Sequence, residues 1–130
     1  MSMLPFKKSK HTVRATAVLT ASYVAGTVVS LDEQNYAGIL VKYTKGDETN
    51  LTIKVETSVD AGTTYGQQSA DGSPSSGVID INPASRTFTA TGNYWIPISP
   101  IKADTLKLSV LAVGGTPTGT VGLDVVTGWV

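Results

Sequence analysis

The residues able to do chemistry in this chain are few and scattered. His11 is the one histidine among 130 residues, and there is no cysteine. It stands among Lys7, Lys8, Lys10 and Arg14, and the first carboxylate after it is Asp32. A nucleophile–base–acid triad or a histidine metal site needs partners that these surroundings do not supply. Adjacent carboxylates could share acid and base roles in cleaving a glycosidic bond. The two such pairs, Asp32/Glu33 and Asp47/Glu48, fall in turn-like sequence, where acids serve hydrogen bonding and solubility. Asp60 and Asp71 share a loop that could offer oxygens to calcium. They are eleven residues apart, and no Asp-x-Asp-x-Asp-Gly loop surrounds them.

Gly114-Gly115-Thr116-Pro117-Thr118-Gly119 has the look of a phosphate cradle but lacks the lysine and the following helix, so it reads as a hairpin turn. Tyr94, Trp95 and Trp129 could form an aromatic platform on which a sugar ring stacks. In a strand the neighbours Tyr94 and Trp95 point to opposite faces, so at most one of them joins such a platform. No catalytic, metal-binding or cofactor-binding residue is expected, and the chain reads as a non-enzyme.

The elements that carry these residues are strands. Leu51, Ile53 and Val55 alternate with Thr52, Lys54 and Glu56, the period-2 signature of a half-buried strand. The same alternation predicts strands over Val13–Leu19, Thr27–Leu31, Ala37–Thr44, Asn50–Ser58, Val78–Ile81, Arg86–Ala90, Tyr94–Ile98, Thr105–Val113 and Thr120–Val126. Lys45-Gly46-Asp47-Glu48 turns the chain so that Asn50–Ser58 is expected to return antiparallel on Ala37–Thr44 as a hairpin. Pro97 and Pro100 place their strand at a sheet edge, because proline cannot donate to a ladder. Short strands with Gly/Pro turns and no credible helix give an all-β fold, an antiparallel β-sandwich of about eight to ten strands, with a jelly roll as the expected form.

The length fits one domain. Residues 1–14 carry Lys7, Lys8, Lys10 and Arg14 and no acid, leaving six bases against ten acids in the rest. Residues 1–12 read as a flexible basic arm able to reach an acidic partner, or as a solvated tail. Without interleaved aromatics, direct nucleic-acid binding is not expected. Residues 13–130 then form a single sandwich domain with a long loop at 60–77, pinned by Tyr65. The stretch Ala15–Ser22 is too rich in threonine for a leader, and no apolar run approaches a membrane span.

In the segment from Tyr43 to Glu56, followed by Asp60-Ala61-Gly62-Thr63-Thr64-Tyr65, and in Ala103–Val110 with its Gly114-Gly115-Thr116-Pro117 turn, the chain resembles small virion proteins of tailed bacteriophages. The likeness covers residues 36–126. It implies a structural protein built on a β-sandwich: a capsid decoration (cement) protein, a head fibre, or a neck or tail subunit. It also implies a virion location after assembly in the host cytoplasm, and homo-oligomers, with a trimer favoured. The partners would be the major capsid protein or other virion subunits, met through Lys7, Lys8, Lys10, Arg14 and Tyr65. A carbohydrate-binding β-sandwich module, stacking sugars on Trp95 and Trp129, is the alternative.

Overall fold

The computed structural model describes residues 9–31, 34–67, 86–98, 101 and 103–128. Among these residues ten strands follow one another: β1 (Ser9–Val18), β2 (Val24–Ala25), β3 (Val29–Ser30), β4 (Tyr36–Thr44), β5 (Asn50–Ser58), β6 (Gly66–Gln67), β7 (Arg86–Phe88), β8 (Gly92–Ile98), β9 (Thr105–Val113) and β10 (Thr120–Gly128). They form two antiparallel sheets that pack face to face as a β-sandwich, which is the expected fold class. The first sheet has the order β1-β10-β4-β8. In the second, β9 and β5 are central; β2 and β3 both pair with β9, while β6 and β7 both pair with β5. No helix occurs among the described residues, so none is long and apolar enough to cross a membrane.

Alternation in the sequence becomes burial in the fold. Ala37, Ile39, Val41 and Tyr43 of β4 point inward, as do Val121, Leu123 and Val125 of β10. Leu51, Ile53 and Val55 of β5 and Leu106, Leu108, Val110 and Ala112 of β9 meet them from the other sheet. Burying each such side chain contributes about 1.5–3 kcal/mol, so this interface is the main source of stability.

Two expected hairpins are not hairpins. β4 pairs with β10 and β8, whereas β5 pairs with β9, so the turn at 45–49 carries the chain from one sheet to the other. The Gly114–Gly119 turn does the same between β9 and β10. Period-2 alternation fixes which residues face the core but not which strand lies alongside, and hairpin and cross-over give the same burial pattern.

The start of the domain also moves. β1 begins at Ser9, not Val13, with Ser9 opposite Thr127 and Lys10 opposite Val126, so residues 9–12 belong to a strand and not to the arm. An edge strand buries few side chains, and a run as polar as Ser-Lys-His-Thr can pair without an apolar pattern to announce it. The register of β1 slips between Thr12 and Arg14 and again between Arg14 and Ala17, irregularities that blunt an edge against further pairing. Thr27–Leu31 shrinks to β3, an unforeseen β2 precedes it, and the expected loop at 60–77 contains β6, paired with Glu56 and Thr57. The Val78–Ile81 strand lies outside the described residues. β8, which holds Pro97, is the far edge of the first sheet, as expected.

Candidate functional site

The strongest polar cluster sits where the two cross-over turns meet. Glu48 is completely buried. Its Oε2 accepts hydrogen bonds from the Tyr43 hydroxyl at 2.6 Å and the Gly46 N–H at 2.8 Å. Its Oε1 accepts from the N–H groups of Gly119 at 2.8 Å and Thr118 at 3.1 Å. The loop that resembled a phosphate cradle does hold an anion with backbone N–H groups, but the anion is this internal carboxylate. Gly119 permits the approach, since a Cβ there would lie 2.2 Å from Glu48 Oε2. Burial alone would raise the Glu48 pKa. The hydrogen bonds from Tyr43, Gly46 and Gly119 outweigh it and hold the carboxyl at about 2, below its ordinary 4.5. Burial, followed by the bond to Glu48 and its charge, pushes the Tyr43 hydroxyl well above its usual range.

This arrangement is structural. With four donors on its two oxygens, Glu48 has no free lone pair aimed at solvent, and its sequence neighbour Asp47 is exposed. The pair therefore cannot act together on a substrate. His11 Nε2 lies 3.3 Å from the hydroxyl of the buried Thr127, and no carboxylate among the described residues is bonded to it. Asp60 Oδ1 is taken up by the Ser58 hydroxyl at 2.6 Å and the Thr64 N–H at 2.8 Å, which tie the 58–64 turn; Asp71 lies outside the described residues. No group of three or more His, Asp or Glu side chains among the described residues could hold a metal ion.

The outer face of the first sheet is different. Tyr94 turns inward and packs on Phe88, while Trp95 points out and stays 49% exposed. Its indole lies over Gly38 of the neighbouring β4: a Cβ at Gly38 would sit 2.3 Å from Trp95 Cζ2. The ring thus approaches the Gly38 backbone more closely than any residue with a Cβ would allow. Leu40, directly opposite Trp95, is half-buried, and next along β4 on the same face Lys42 forms an ion pair at 3.0 Å with Asp124 of β10. Gly38 and this ion pair were not singled out from sequence; a glycine inside an apolar strand run was the available signal for the close approach.

On the outer face of the second sheet, Lys54 and Lys107 share the carboxylate of Glu56 at 3.7 and 3.6 Å. Tyr23 reaches in from one edge to place its ring 4.4 Å from the Lys54 ammonium, and Tyr65 from the other, 4.2 Å from Lys107. Tyr65 therefore holds its segment on the body through a cation–π contact. Among the basic candidates, Lys10 is exposed on β1. Arg14 donates to the carbonyls of Val121, Ala17 and Val18, bracing the irregular part of β1. Lys7, Lys8 and Trp129 lie outside the described residues. Lys10 and Arg14 thus share β1 while Tyr65 lies against the second sheet, so these three do not form one cluster.

No family model matches the sequence, and no curated protein matches it significantly. Similarity appears among solved structures. One is the SPBc2 prophage-derived protein YomS, 16% identical, with 98% of each chain covered and a TM-score of 0.58. Another is a chain from Bacillus endospore appendages, described as a novel family of disulfide-linked pili, 10% identical, covering 99% of this chain and 93% of that one with a TM-score of 0.50. At these identities the shared property is the fold.

Proposed function

We propose that this chain is a non-enzymatic structural protein of a bacteriophage particle. In this reading it is a capsid decoration protein that binds the head lattice through its N-terminal arm, its loops and self-association. The carrying observation is the end-to-end fold likeness to a prophage-derived protein, on a sandwich whose best-built polar cluster is turned inward and spent on holding the fold. The strand order supports a jelly roll, with β1-β10-β4-β8 facing β2/β3-β9-β5-β6/β7, an architecture that recurs in viral capsid domains. The sequence contains no cysteine, which weighs against a disulfide-linked pilus subunit.

The long edges of the first sheet are guarded by the slips in β1 and by Pro97 in β8, and the second sheet's edge strands are only two or three residues long. Self-association therefore uses faces and loops, not continued sheets. A closed ring, a trimer where the lattice has threefold points, fits such contacts, with the major capsid protein or another virion subunit beneath it.

The test is to sediment nuclease-treated source lysate on a density gradient and trace the chain with an antibody. Co-migration with a fast, nuclease-resistant particle supports the reading, and immunogold labelling then separates head from neck or tail. A slow, soluble species alone overturns it.

A further inference from the structure

We propose that the outer face of the first sheet carries a saccharide-binding platform, with the Trp95 indole as the stacking surface and the Lys42–Asp124 pair as its hydrogen-bonding rim. It goes beyond the particle reading and stands independently of it, because it concerns what the exposed face of the isolated protein recognises.

The platform is preorganised. Trp95 is not needed to fill the core, which Tyr94 and Ile96 serve from the same strand. Its ring lies against Gly38 in the space that a Cβ there would fill, and about half of the residue stays exposed. A flat indole face is electron-rich and apolar, and it suits the C–H face of a pyranose, whose hydrogens carry partial positive charge. The rim supplies what hydroxyls need. Lys42, its side chain 43% exposed, and Asp124 are locked at 3.0 Å as a donor and an acceptor side by side. Asp124 stands in the same row as Trp95, across Leu40 and two strand spacings (about 10 Å) away, and Lys42 lies one same-face step along β4 from that row. A short oligosaccharide stacked on the indole spans that distance and can turn hydroxyls to the pair.

The composition of the face favours a sugar over a protein. The other large exposed apolar residues among those described are Val18, Tyr23, Val24, Val28, Val59 and Val113, none of them on the strands flanking Trp95. A stable protein interface needs a contiguous apolar patch of several hundred Å². One indole beside half-buried Leu40 and Val126, with a charged pair next to it, is instead the small apolar surface with few placed polar groups that suits a small polar ligand.

The experiment uses the full chain and a panel of short neutral gluco-, galacto- and manno-oligosaccharides, read by intrinsic fluorescence and calorimetry. The expected result is saturable binding of one class with a change in tryptophan emission that persists in Trp129→Phe. Trp95→Ala should weaken binding about tenfold or more, the size of a single aromatic stack. Lys42→Ala leaves the indole and Gly38 untouched, and it should weaken binding severalfold with unchanged melting. That second variant keeps the test decisive if Trp95→Ala unfolds. No binding across the panel, or binding indifferent to both substitutions, overturns the proposal. So does concentration-dependent shielding of Trp95 from a quencher without sugar, which would assign the face to a second copy. None of these outcomes depends on the gradient that tests the particle reading.

Discussion

The Tyr43 hydroxyl donates to Glu48 Oε2 over 2.6 Å, and this bond closes a cross-over between sheets where the local sequence reads as a hairpin. Tyr43 ends the inward row of β4, and Glu48 follows five residues later at the mouth of β5. The carboxylate also collects N–H groups from Thr118 and Gly119, so one side chain ties the β4–β5 corner to the β9–β10 corner. Leu19 N–H donates to the carbonyl of the same Gly119, adding the exit of β1 to the assembly.

Glu48→Ala should therefore destabilise the fold severely. It leaves the N–H groups of Gly46, Thr118 and Gly119 and the Tyr43 hydroxyl without an acceptor in a buried place, each worth about 1–3 kcal/mol, though water will partly enter the space. A loss of about 3–5 kcal/mol is expected in urea unfolding. Glu48→Gln keeps the volume but replaces one acceptor oxygen by a donor, and should cost about 2 kcal/mol or more. A change within about 0.5 kcal/mol for either variant would show that the corner is not held by this carboxylate.

The same group sets acid stability, and the sign is fixed by its shift. The folded pKa, about 2, lies below the ordinary 4.5. Its contribution is complete above pH 4.5, where the carboxyl is ionised in both states, and is lost as pH falls toward 2. A shift of this size corresponds to about 3 kcal/mol. Urea midpoints measured between about pH 6 and pH 2 should fall for the parent protein and flatten in Glu48→Gln. Tyr43→Phe, which removes one donor, should give an intermediate slope.

How much of this was legible follows from the range of the interactions. β5 and β9 run over the residues expected, Asn50–Ser58 and Thr105–Val113, because both are central strands whose alternation records a buried face. The outward placement of Trp95 against inward Tyr94 was readable for the same reason. The role of Glu48 was not, because its partners Thr118 and Gly119 lie 70 and 71 residues away and a turn acid looks alike whether solvated or buried. Strand neighbours were equally hidden: Gly46 and Gly115 suit a tight hairpin and a corner between sheets alike. Ser9–Thr12 escaped notice because an edge strand carries little apolar pattern.

Gly38→Ala should be felt through Trp95. The added methyl would sit 2.3 Å from the ring, so the indole must lift off the sheet. A cost of about 1–3 kcal/mol is expected, as for other overpacked sites, with a red shift of tryptophan emission as the ring enters water. In Trp95→Ala the clash has no partner, so the cost of Gly38→Ala should shrink in the double variant. Additive costs in that cycle would mean that the two residues do not touch.

Tyr65 holds its segment to the second sheet through Lys107, and the contact is worth about 0.5–1 kcal/mol at a partly exposed site. Tyr65→Ala should leave global unfolding nearly unchanged while speeding limited proteolysis between residues 60 and 67. Lys107→Ala should reproduce the effect, because it removes the cation from the same pair and also frees one side of Glu56. Equal cleavage rates in parent and variants would assign the anchoring of this segment to the hydrogen bonds of Ser58 and Asp60 and to the β5–β6 pairing.

The boundary at Ser9 separates two truncations that sequence alone would treat as one. Deleting residues 2–8 leaves every pairing of β1 in place, so thermal unfolding should be unchanged. Deleting 2–12 also removes the pairings of Ser9, Lys10, His11 and Thr12 with Thr127, Val126, Val125 and Asp124, baring that part of β10 as a new edge. Such an edge is a template for pairing with other chains, so this variant should lose about 1–3 kcal/mol and tend to aggregate. If the arm makes the particle contact, the shorter deletion abolishes particle binding in a protein that melts like the parent. If binding survives that deletion and fails only in the longer one, the loss belongs to the damaged sheet, and the contact must be sought on the loops or the faces.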